Sequence, residues 1–227
     1  MATQPPAAGS NKAKMVVTLD VSAGARGLTA LLSRAVGLDD MATARFQVLD
    51  DGHVDVFVTT PFGCIAARRI EGVVSRGGAV VAARQLLNML RDAPCDGPRK
   101  IGPRLDATWP GALPPAGGFV ERDTVPVAVA QQLANEGRSL ARQFSGPAGP
   151  PKSLLNGIVL TVATESDQPV EIPMRMVFAC TALGLIPNAA APIELPRHLR
   201  IATAGSWIRL DAPFGSVYYN QGFALLG

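Results

Sequence analysis

The stretch ARFQVLDDGHVDVFV, residues 44–58, decides the local fold more than any other part of the sequence. Apolar and polar residues alternate on both sides of Asp50–Gly52, which is typical of two strands with one buried face. A three-residue turn with Gly52 in the left-handed conformation pairs Val48 with Val54, whereas a two-residue turn would mix the faces. The favoured register places six apolar residues on one side: Ala44, Phe46, Val48, Val54, Val56 and Val58.

The flanking sequence extends this hairpin into a β-α-β-β-β-α unit. MVVTLDV at 15–21 predicts a strand, and residues 25–38 predict a helix with five apolar residues at helical spacing: Leu28, Leu31, Leu32, Ala35 and Val36. After a turn at 60–63, CIAARRIEG predicts a third strand, with Thr59 opposite Cys64 and Asp55 opposite Arg68. The run AVVAARQLLNML at 79–90 predicts the second helix.

The remaining sequence predicts a second unit of similar size. Residues 124–144 predict a helix, 157–163 and 168–173 predict strands, and MRMVFACTALGLI at 174–186 predicts a nearly apolar helix. A final hairpin follows from residue 199. Between the two units, residues 94–118 are rich in Pro and Gly and have no periodicity, which indicates a linker or a loop on the surface.

We therefore predict an α+β protein with four segments. They are a disordered tail at 1–14, an N-terminal α+β domain at 15–93, a linker at 94–122 and a smaller C-terminal α+β domain at 123–227. A helix followed by an Arg-bearing hairpin is also the order of elements in a winged-helix domain. A winged-helix-like fold is therefore one of the arrangements that we consider for the C-terminal domain.

Composition limits the classes of protein. The chain is 48% hydrophobic and 17% charged, which favours a folded core over disorder. Its net charge of +3 falls entirely in residues 1–122, so a strong electrostatic footprint for nucleic acid is not expected. The longest apolar run, near 176–187, is shorter than the roughly 20 residues of a membrane-spanning helix. Without an apolar leader, we expect a soluble cytoplasmic protein that does not bind a membrane.

The sequence contains no convincing catalytic or metal-binding pattern. His53 lies about 20 Å along the hairpin from Cys64, too far to activate the thiol. Cys95 and Cys180 have no neighbouring base, and the two His are far apart. Gly24 and Gly27 lie between a strand and a helix, but the Lys-Ser/Thr of a phosphate-binding loop is missing. We therefore predict no cofactor, no metal and no enzymatic activity.

The closing hairpin, SWIRLDAPFGSVYYNQG at 206–222, leaves three alternatives open. Trp207, Arg209 and Asp211 share one face, because alternate residues of a strand do. That face is a wing for nucleic acid, an edge for a protein partner, or a cover for the domain's own core. We favour the last for Trp207, with Arg209 and Tyr218 at an exposed margin.

Two functions are consistent with these features. The first is a non-catalytic interaction or regulatory protein that binds a macromolecular partner through its C-terminal hairpin and linker. Its candidate contacts are Trp207, Arg209, Tyr218, Arg197 and Arg200. The alternative is a weakly basic nucleic-acid-associated protein, which would use Arg99, Lys100 and Arg104 of the linker in addition to the arginines near the hairpin.

Overall fold

The computed structural model describes residues 16–92, 97–144, 151–163, 169–187, 192 and 194–222. The predicted tail at 1–14 and Cys95 therefore lie outside the described residues. The elements in chain order are β1 (Val16–Ala23), α1 (Ala25–Leu38), β2 (Thr43–Val48), β3 (His53–Thr59), β4 (Ile65–Val74), β5 (Val80–Ala82), α2 (Ala83–Arg91), β6 (Arg99–Pro103), β7 (Val120–Pro126), α3 (Val127–Phe144), α4 (Lys152–Asn156), β8 (Ile158–Val162), β9 (Val170–Pro173), α5 (Met174–Ala182), β10 (His198–Ala204), β11 (Trp207–Ala212) and β12 (Gly215–Asn220).

The hairpin of β2 and β3 has the predicted register. Val48 lies opposite Val54, and Phe46 lies opposite Val56. Gly52 has a φ of 80°, the left-handed conformation that this turn requires. Five of the six apolar residues predicted for one face are buried, whereas Val48, the last residue of β2, is exposed. The alternating pattern thus identified both the turn and the buried face.

The next pairing is shifted by one residue from the prediction. Thr59 lies opposite Ile65 rather than Cys64, and Asp55 lies opposite Arg69 rather than Arg68. Asp55 accepts two hydrogen bonds from Arg69, at 2.8 and 2.9 Å. The predicted Asp55–Arg68 pair is wrong because a shift of one residue moves each side chain of a strand to the other face.

The two N-terminal helices are present, with corrected bounds. Helix α1 buries the five predicted apolar residues and ends at Leu38, one residue beyond Gly37. The stretch 79–90, predicted as one helix, is divided: Val80–Ala82 pairs with β2 as β5, and α2 begins only at Ala83. The two valines at 80–81 favour the strand because β-branched side chains pack well on a sheet.

Part of the predicted linker at 94–122 is regular structure. Residues 99–103 form β6, which pairs antiparallel with β1. The last residues of the predicted linker, from Val120, belong to β7, which pairs with β10 at the other end of the chain. Because both ends of the segment are hydrogen-bonded into the sheet, residues 104–119 form a connection held between two fixed points.

One ten-stranded sheet joins the two halves of the chain. Its path is β5-β2-β3-β4-β12-β11-β10-β7, while β1 pairs with the far end of β4 and with β6. The junction is the antiparallel pair of β4 and β12, in which Ala67 lies opposite Ser216. Strands β8 and β9 form a separate two-stranded sheet. The protein is thus a mixed α and β structure with a mostly antiparallel sheet and few helices.

The winged-helix option is not supported by this topology. Strands β11 and β12 pair with each other and also with β10 and β4, so the hairpin lies inside the sheet rather than projecting as a wing. Helix α5, predicted at 174–186, ends at Ala182 and is buried along most of its length. A buried helix cannot enter a groove of DNA.

The sheet has two different faces. The helices cover the inner face, where one large cluster of buried residues includes Leu28, Phe46, Met176 and Ile201 and therefore extends through both halves. On the outer face a smaller cluster contains Phe57 and Tyr218 together with residues of the connection at 104–119.

Candidate functional site

Four of the five residues predicted for partner binding, all except Arg197, lie on the outer face, and much of that face is already covered. Trp109 is 8% exposed and packs with Phe57 and Tyr218, while Leu105, Leu113 and Phe119 of the connection pack against the same cluster. The Pro- and Gly-rich segment thus covers part of the sheet with its own apolar side chains. This contact was indicated in the sequence only by the apolar residues within an otherwise irregular stretch.

Tyr218 and Arg209 are therefore not at an exposed margin. Tyr218 is 7% exposed, and burial raises the pKa of its hydroxyl to about 12. The guanidinium of Arg209 lies 4.3 Å from the ring centroid of Phe119, donates a hydrogen bond from Nε to Asp211 and forms an ion pair with the same carboxylate through Nη2. Trp207 shares this face, as predicted, and is half-buried. The prediction of an exposed Tyr218 is wrong because the covering segment comes from a distant part of the chain.

The other predicted cations are spread over several places. Arg200 on β10 is exposed and forms no hydrogen bond or ion pair with the described residues, whereas Arg197 donates to the carbonyl of Pro192. Arg99 and Lys100 lie on β6 at the opposite end of the sheet, and Arg104 donates two hydrogen bonds to one oxygen, Oδ2, of Asp106. The structure does not bring the linker and hairpin cations into one patch.

The convergent basic site lies on the inner side, between helices of the two halves. A groove of about 950 Å³ is lined by Arg26 and Arg34 of α1, Arg68 of β4 and Arg138 of α3. None of its described lining residues is Asp or Glu. Four guanidinium groups without a carboxylate create a positive potential that favours an anionic ligand. We call this site the basic groove.

Two glycines make room for the arginines of the basic groove. A Cβ atom on Gly27 would lie 2.1 Å from Cζ of Arg68, and one on Gly184 would lie 2.0 Å from Nη1 of Arg34. Arg68 donates to the carbonyl of Phe214 at 2.6 Å, and Arg34 donates to that of Leu183 at 3.2 Å. Arg34 and Arg68, both of the N-terminal half, thus hold backbone of the C-terminal half.

Burial lowers the pKa of Arg68 from its ordinary value, but an arginine remains charged at neutral pH. Arg26 and Arg138 are exposed, and Arg138 donates to Asn135 at 2.6 Å. The basic groove therefore combines Arg34 and Arg68, which are anchored by backbone contacts, with Arg26 and Arg138. Arg34 is exposed like Arg26 and Arg138, whereas Arg68 is half-buried. Each guanidinium has five N–H donors, more than its contacts with the described residues use.

The basic groove belongs to a larger separation of charge. The five α-helices of the described chain carry seven Arg, one Lys and a single acid, Glu136. Its strands carry eight basic and seven acidic residues. Sequence reasoning missed this because it averaged charge over each half, whereas counting charge within predicted helices would have found it.

A second cavity, of about 660 Å³, lies where β12 ends, beside α4 and α5. Its lining includes Phe62, Ile65, Leu155, Trp207, Tyr218 and Tyr219, with residues 110–112 of the connection at one side. Lys152 and Arg175 are its charged lining residues. We call this cavity the apolar pocket.

The described cysteines are core residues. Cys64 and Cys180 are free and buried. Burial raises the pKa of the Cys64 thiol to about 12 and also raises the pKa of Cys180. Both thiols are protonated at neutral pH, so neither is an activated nucleophile. Among the described residues, no group of three or more His, Cys, Asp or Glu is placed to hold a metal ion.

Solved structures of DNA polymerase sliding clamps have a similar fold. The β sliding clamp of C. crescentus matches with a TM-score of 0.54 at 11% identity, over 90% of this chain and 64% of the clamp chain. The clamp of Pseudomonas aeruginosa matches with 0.51 at 12% identity, and the β subunit of Streptococcus pyogenes DNA polymerase with 0.52 at 8%; both cover 90% of this chain and 64% of theirs. The chain thus spans less than two-thirds of the clamps, and identities this low establish similarity of fold alone.

Two family models match consecutive parts of the chain. Residues 13–111 match a domain of unknown function, DUF8010, and residues 114–224 match a second one, DUF8185. No curated protein matches the sequence. No helix among the described residues is long and apolar enough to cross a membrane. The clamp-like fold is therefore two-domain-like, with one family match on each half.

Proposed function

We propose that this protein is a non-catalytic scaffold in the cytoplasm that binds the phosphate backbone of nucleic acid along its helical side, with the basic groove at the centre. The observation that carries this proposal is the convergence of Arg26, Arg34, Arg68 and Arg138 without an acidic lining residue among those described. Guanidinium groups bind phosphate oxygens through paired, charge-assisted hydrogen bonds, which gives affinity without base recognition.

Two further features support the proposal. Helical residues that do not line the basic groove add Arg84, Arg91 and Arg142, so the positive surface continues beyond one cavity. The structures with a similar fold are named as sliding clamps and subunits of DNA polymerases. The proposal differs from the sequence-based alternative in its residues, because Arg99, Lys100 and Arg104 do not line the basic groove.

Fluorescence anisotropy with a labelled DNA duplex tests the proposal. Each phosphate contact contributes about −0.9 to the slope of log affinity against log salt, so we expect a wild-type slope of about −2 to −4. In the double variant R26Q/R138Q, the salt dependence should become shallower by the contribution of about two phosphate contacts. This variant should also bind at least about tenfold more weakly than wild type. The matched control R104Q/R200Q removes the same charge from outside the basic groove and should bind like wild type.

Two results would contradict nucleic-acid binding at this site. One is the absence of binding to duplex at low salt. The other is an equal loss of affinity in the R26Q/R138Q and R104Q/R200Q variants, which would mean that only net charge matters. Circular dichroism and melting curves of both variants establish that each one is folded.

We propose a protein partner at the outer face as the second candidate function. The side chain of Arg200 is exposed and has no partner among the described residues, and half-buried Trp207, which lines the apolar pocket, lies on the same face. Arg197 remains part of this proposal, whereas Arg209 and Tyr218 already bind within the chain. A partner that survives nuclease treatment and is lost on R200E, but not on R26Q, would support it.

We also propose that the chain divides into two domains within the predicted linker. The ends of the two family matches, at residues 111 and 114, support a boundary inside 94–122. Limited proteolysis tests this boundary, because an early cut between residues 104 and 119 is expected if the connection opens before either half unfolds. An early cut elsewhere in the described chain would contradict it.

A further inference from the structure

The apolar pocket has the size and lining of a small-molecule site, and the nucleic-acid proposal does not use it. Pockets that hold small ligands have volumes of about 300–1,000 Å³ and are mostly apolar with a few polar groups. This one measures about 660 Å³ and is walled by Phe62, Leu155, Trp207 and the two tyrosines 218 and 219.

The charged groups of the apolar pocket are all positive. Lys152 and Arg175 line it, and its described lining residues include no Asp or Glu. Its other titratable groups remain neutral at pH 7, because burial raises the pKa of Cys64 and of Tyr218 to about 12 and also raises that of Tyr219. A ligand that enters the pocket therefore meets positive charge and no negative charge.

Arg175 has a donor that the described chain leaves unused. Its Nη1 donates to the carbonyl of Phe62 at 3.0 Å, its Nη2 donates to Asn156, and the guanidinium lies 5.1 Å from the centroid of the Tyr219 ring. Its Nε is buried and has no acceptor among the described residues. A buried N–H without an acceptor costs free energy unless a ligand or water supplies one.

We propose that the apolar pocket binds a small organic acid, with an aromatic or branched apolar body among Phe62, Leu155 and Trp207 and its carboxylate on Arg175. A carboxylate matches the planar guanidinium and carries a single charge. A phosphate dianion fits less well, because its desolvation costs more than that of a single carboxylate and most of the lining is apolar. The chemical class is thus a hydrophobic carboxylate.

Isothermal titration calorimetry with 2-naphthoate as the probe, and 2-naphthylmethanol as its uncharged match, tests this site. We expect the wild-type protein to bind the acid at least about tenfold more tightly than the alcohol. In R175Q the acid should lose this preference, so that both probes bind with similar affinity. A change in preference, rather than in affinity alone, separates a ligand contact from a general loss of structure.

A second pair of variants keeps the test independent of Arg175, which also joins the two halves. L155W places a large side chain in the apolar pocket, while S153W adds the same side chain to an exposed position of α4 that does not line it. We expect L155W to weaken naphthoate binding at least about tenfold and S153W to leave it unchanged.

Three results would overturn the proposal. They are no heat of binding at millimolar naphthoate with folded wild-type protein, equal affinity for acid and alcohol, and undiminished binding to L155W. None of them bears on the basic groove, whose arginines do not line the apolar pocket. Failure of this proposal and failure of nucleic-acid binding are therefore distinguishable.

Discussion

The two halves of the molecule have the same connectivity in permuted order. The first half runs β1-α1-β2-β3-β4 and then β5-α2-β6, with β5 on β2 and β6 on β1. The second half runs β7-α3-α4-β8 and then β9-α5-β10-β11-β12, with β7 on β10 and β8 on β9. Each half thus contains one β-α-β-β-β unit and one two-stranded unit, whose strands are joined through α2 in the first half and through α3 and α4 in the second. The last strands of the two larger units pair at the junction.

The halves differ in how their charge appears along the sequence. Residues 1–122 carry a net charge of +3, whereas residues 123–227 are neutral. In the fold, however, the helices of both halves are basic: α1 and α2 carry four Arg and no acid, and α3 to α5 carry three Arg, one Lys and one Glu. Equivalent topology therefore places positive charge on the same side of each half, independently of net charge.

The largest effect should come from core residues at corresponding places in the two halves. Phe46 on β2 and Ile201 on β10 are fully buried in the same cluster. Phe46→Ala should cost about 3–5 kcal/mol of unfolding free energy and Ile201→Ala about 2–5 kcal/mol. Because the cluster spans both halves, each variant should shift one common thermal transition. A second transition that stays at the wild-type temperature would mean that the halves fold independently.

Substitution of the two tryptophans compares how much the covering connection and the hairpin beneath it contribute to stability. Trp109 is 8% exposed, whereas Trp207 is half-buried at the edge of the same cluster. We expect Trp109→Ala to cost about 3 kcal/mol and Trp207→Ala about half of that, since the cost follows the area that each ring buries. Urea denaturation measures both. A larger cost for Trp207 would show that the connection contributes little to the outer face.

Two arginines that cross the junction in opposite directions should have similar, smaller effects. Arg68 donates to Phe214 of the second half, and Arg175 donates to Phe62 of the first. Replacing either by Met should cost about 1–3 kcal/mol, because a carbonyl loses a charged donor. Arg26→Met, without a recorded partner in the described chain, is the control and should stay within about 0.5 kcal/mol. Equal losses of unfolding free energy in all three variants would argue against a stabilising role of Arg68 and Arg175 at the junction.

The dependence of stability on alkaline pH reports on the buried thiols of the two halves. Folding raises the pKa of Cys64 from 9.0 to about 12, so its contribution to stability is complete below pH 9 and is lost as the pH rises towards 12. The slope is about 1.4 kcal/mol per pH unit for one thiol. Cys64→Ala should reduce the loss between pH 9 and 10, and Cys180→Ala should act in the same direction. Stability that is independent of pH in this range would contradict burial of the thiols.

Local sequence pattern was sufficient to predict most of the elements and the register of one strand pair. Alternation around Gly52 gave the β2–β3 pairing, and helical spacing gave the buried side of α1. The β3–β4 register was missed because the turn at 60–64 offers no pattern that separates one length from the next. Val80–Ala82 was missed because three residues are too few for any periodicity.

The candidate sites could not be predicted in the same way. Arg26, Arg68 and Arg138 are far apart in sequence, and they meet only because β4 pairs with β12 and brings the helices of the two halves together. Tyr218 is likewise buried by Phe119 and Trp109, which lie about a hundred residues earlier in the chain. Long-range pairing of this kind leaves no signature in a single stretch of sequence.

Arginine modification tests most directly whether nucleic acid binds at the basic groove. The protein is treated with phenylglyoxal with and without bound DNA duplex, and its peptides are analysed by mass spectrometry. Arg26 and Arg138 line the basic groove, whereas Arg69 and Arg200 are exposed away from it on the outer side. We expect bound duplex to protect Arg26 and Arg138 and to leave Arg69 and Arg200 reactive. Protection of Arg69 and Arg200, with Arg26 and Arg138 still modified, would contradict it.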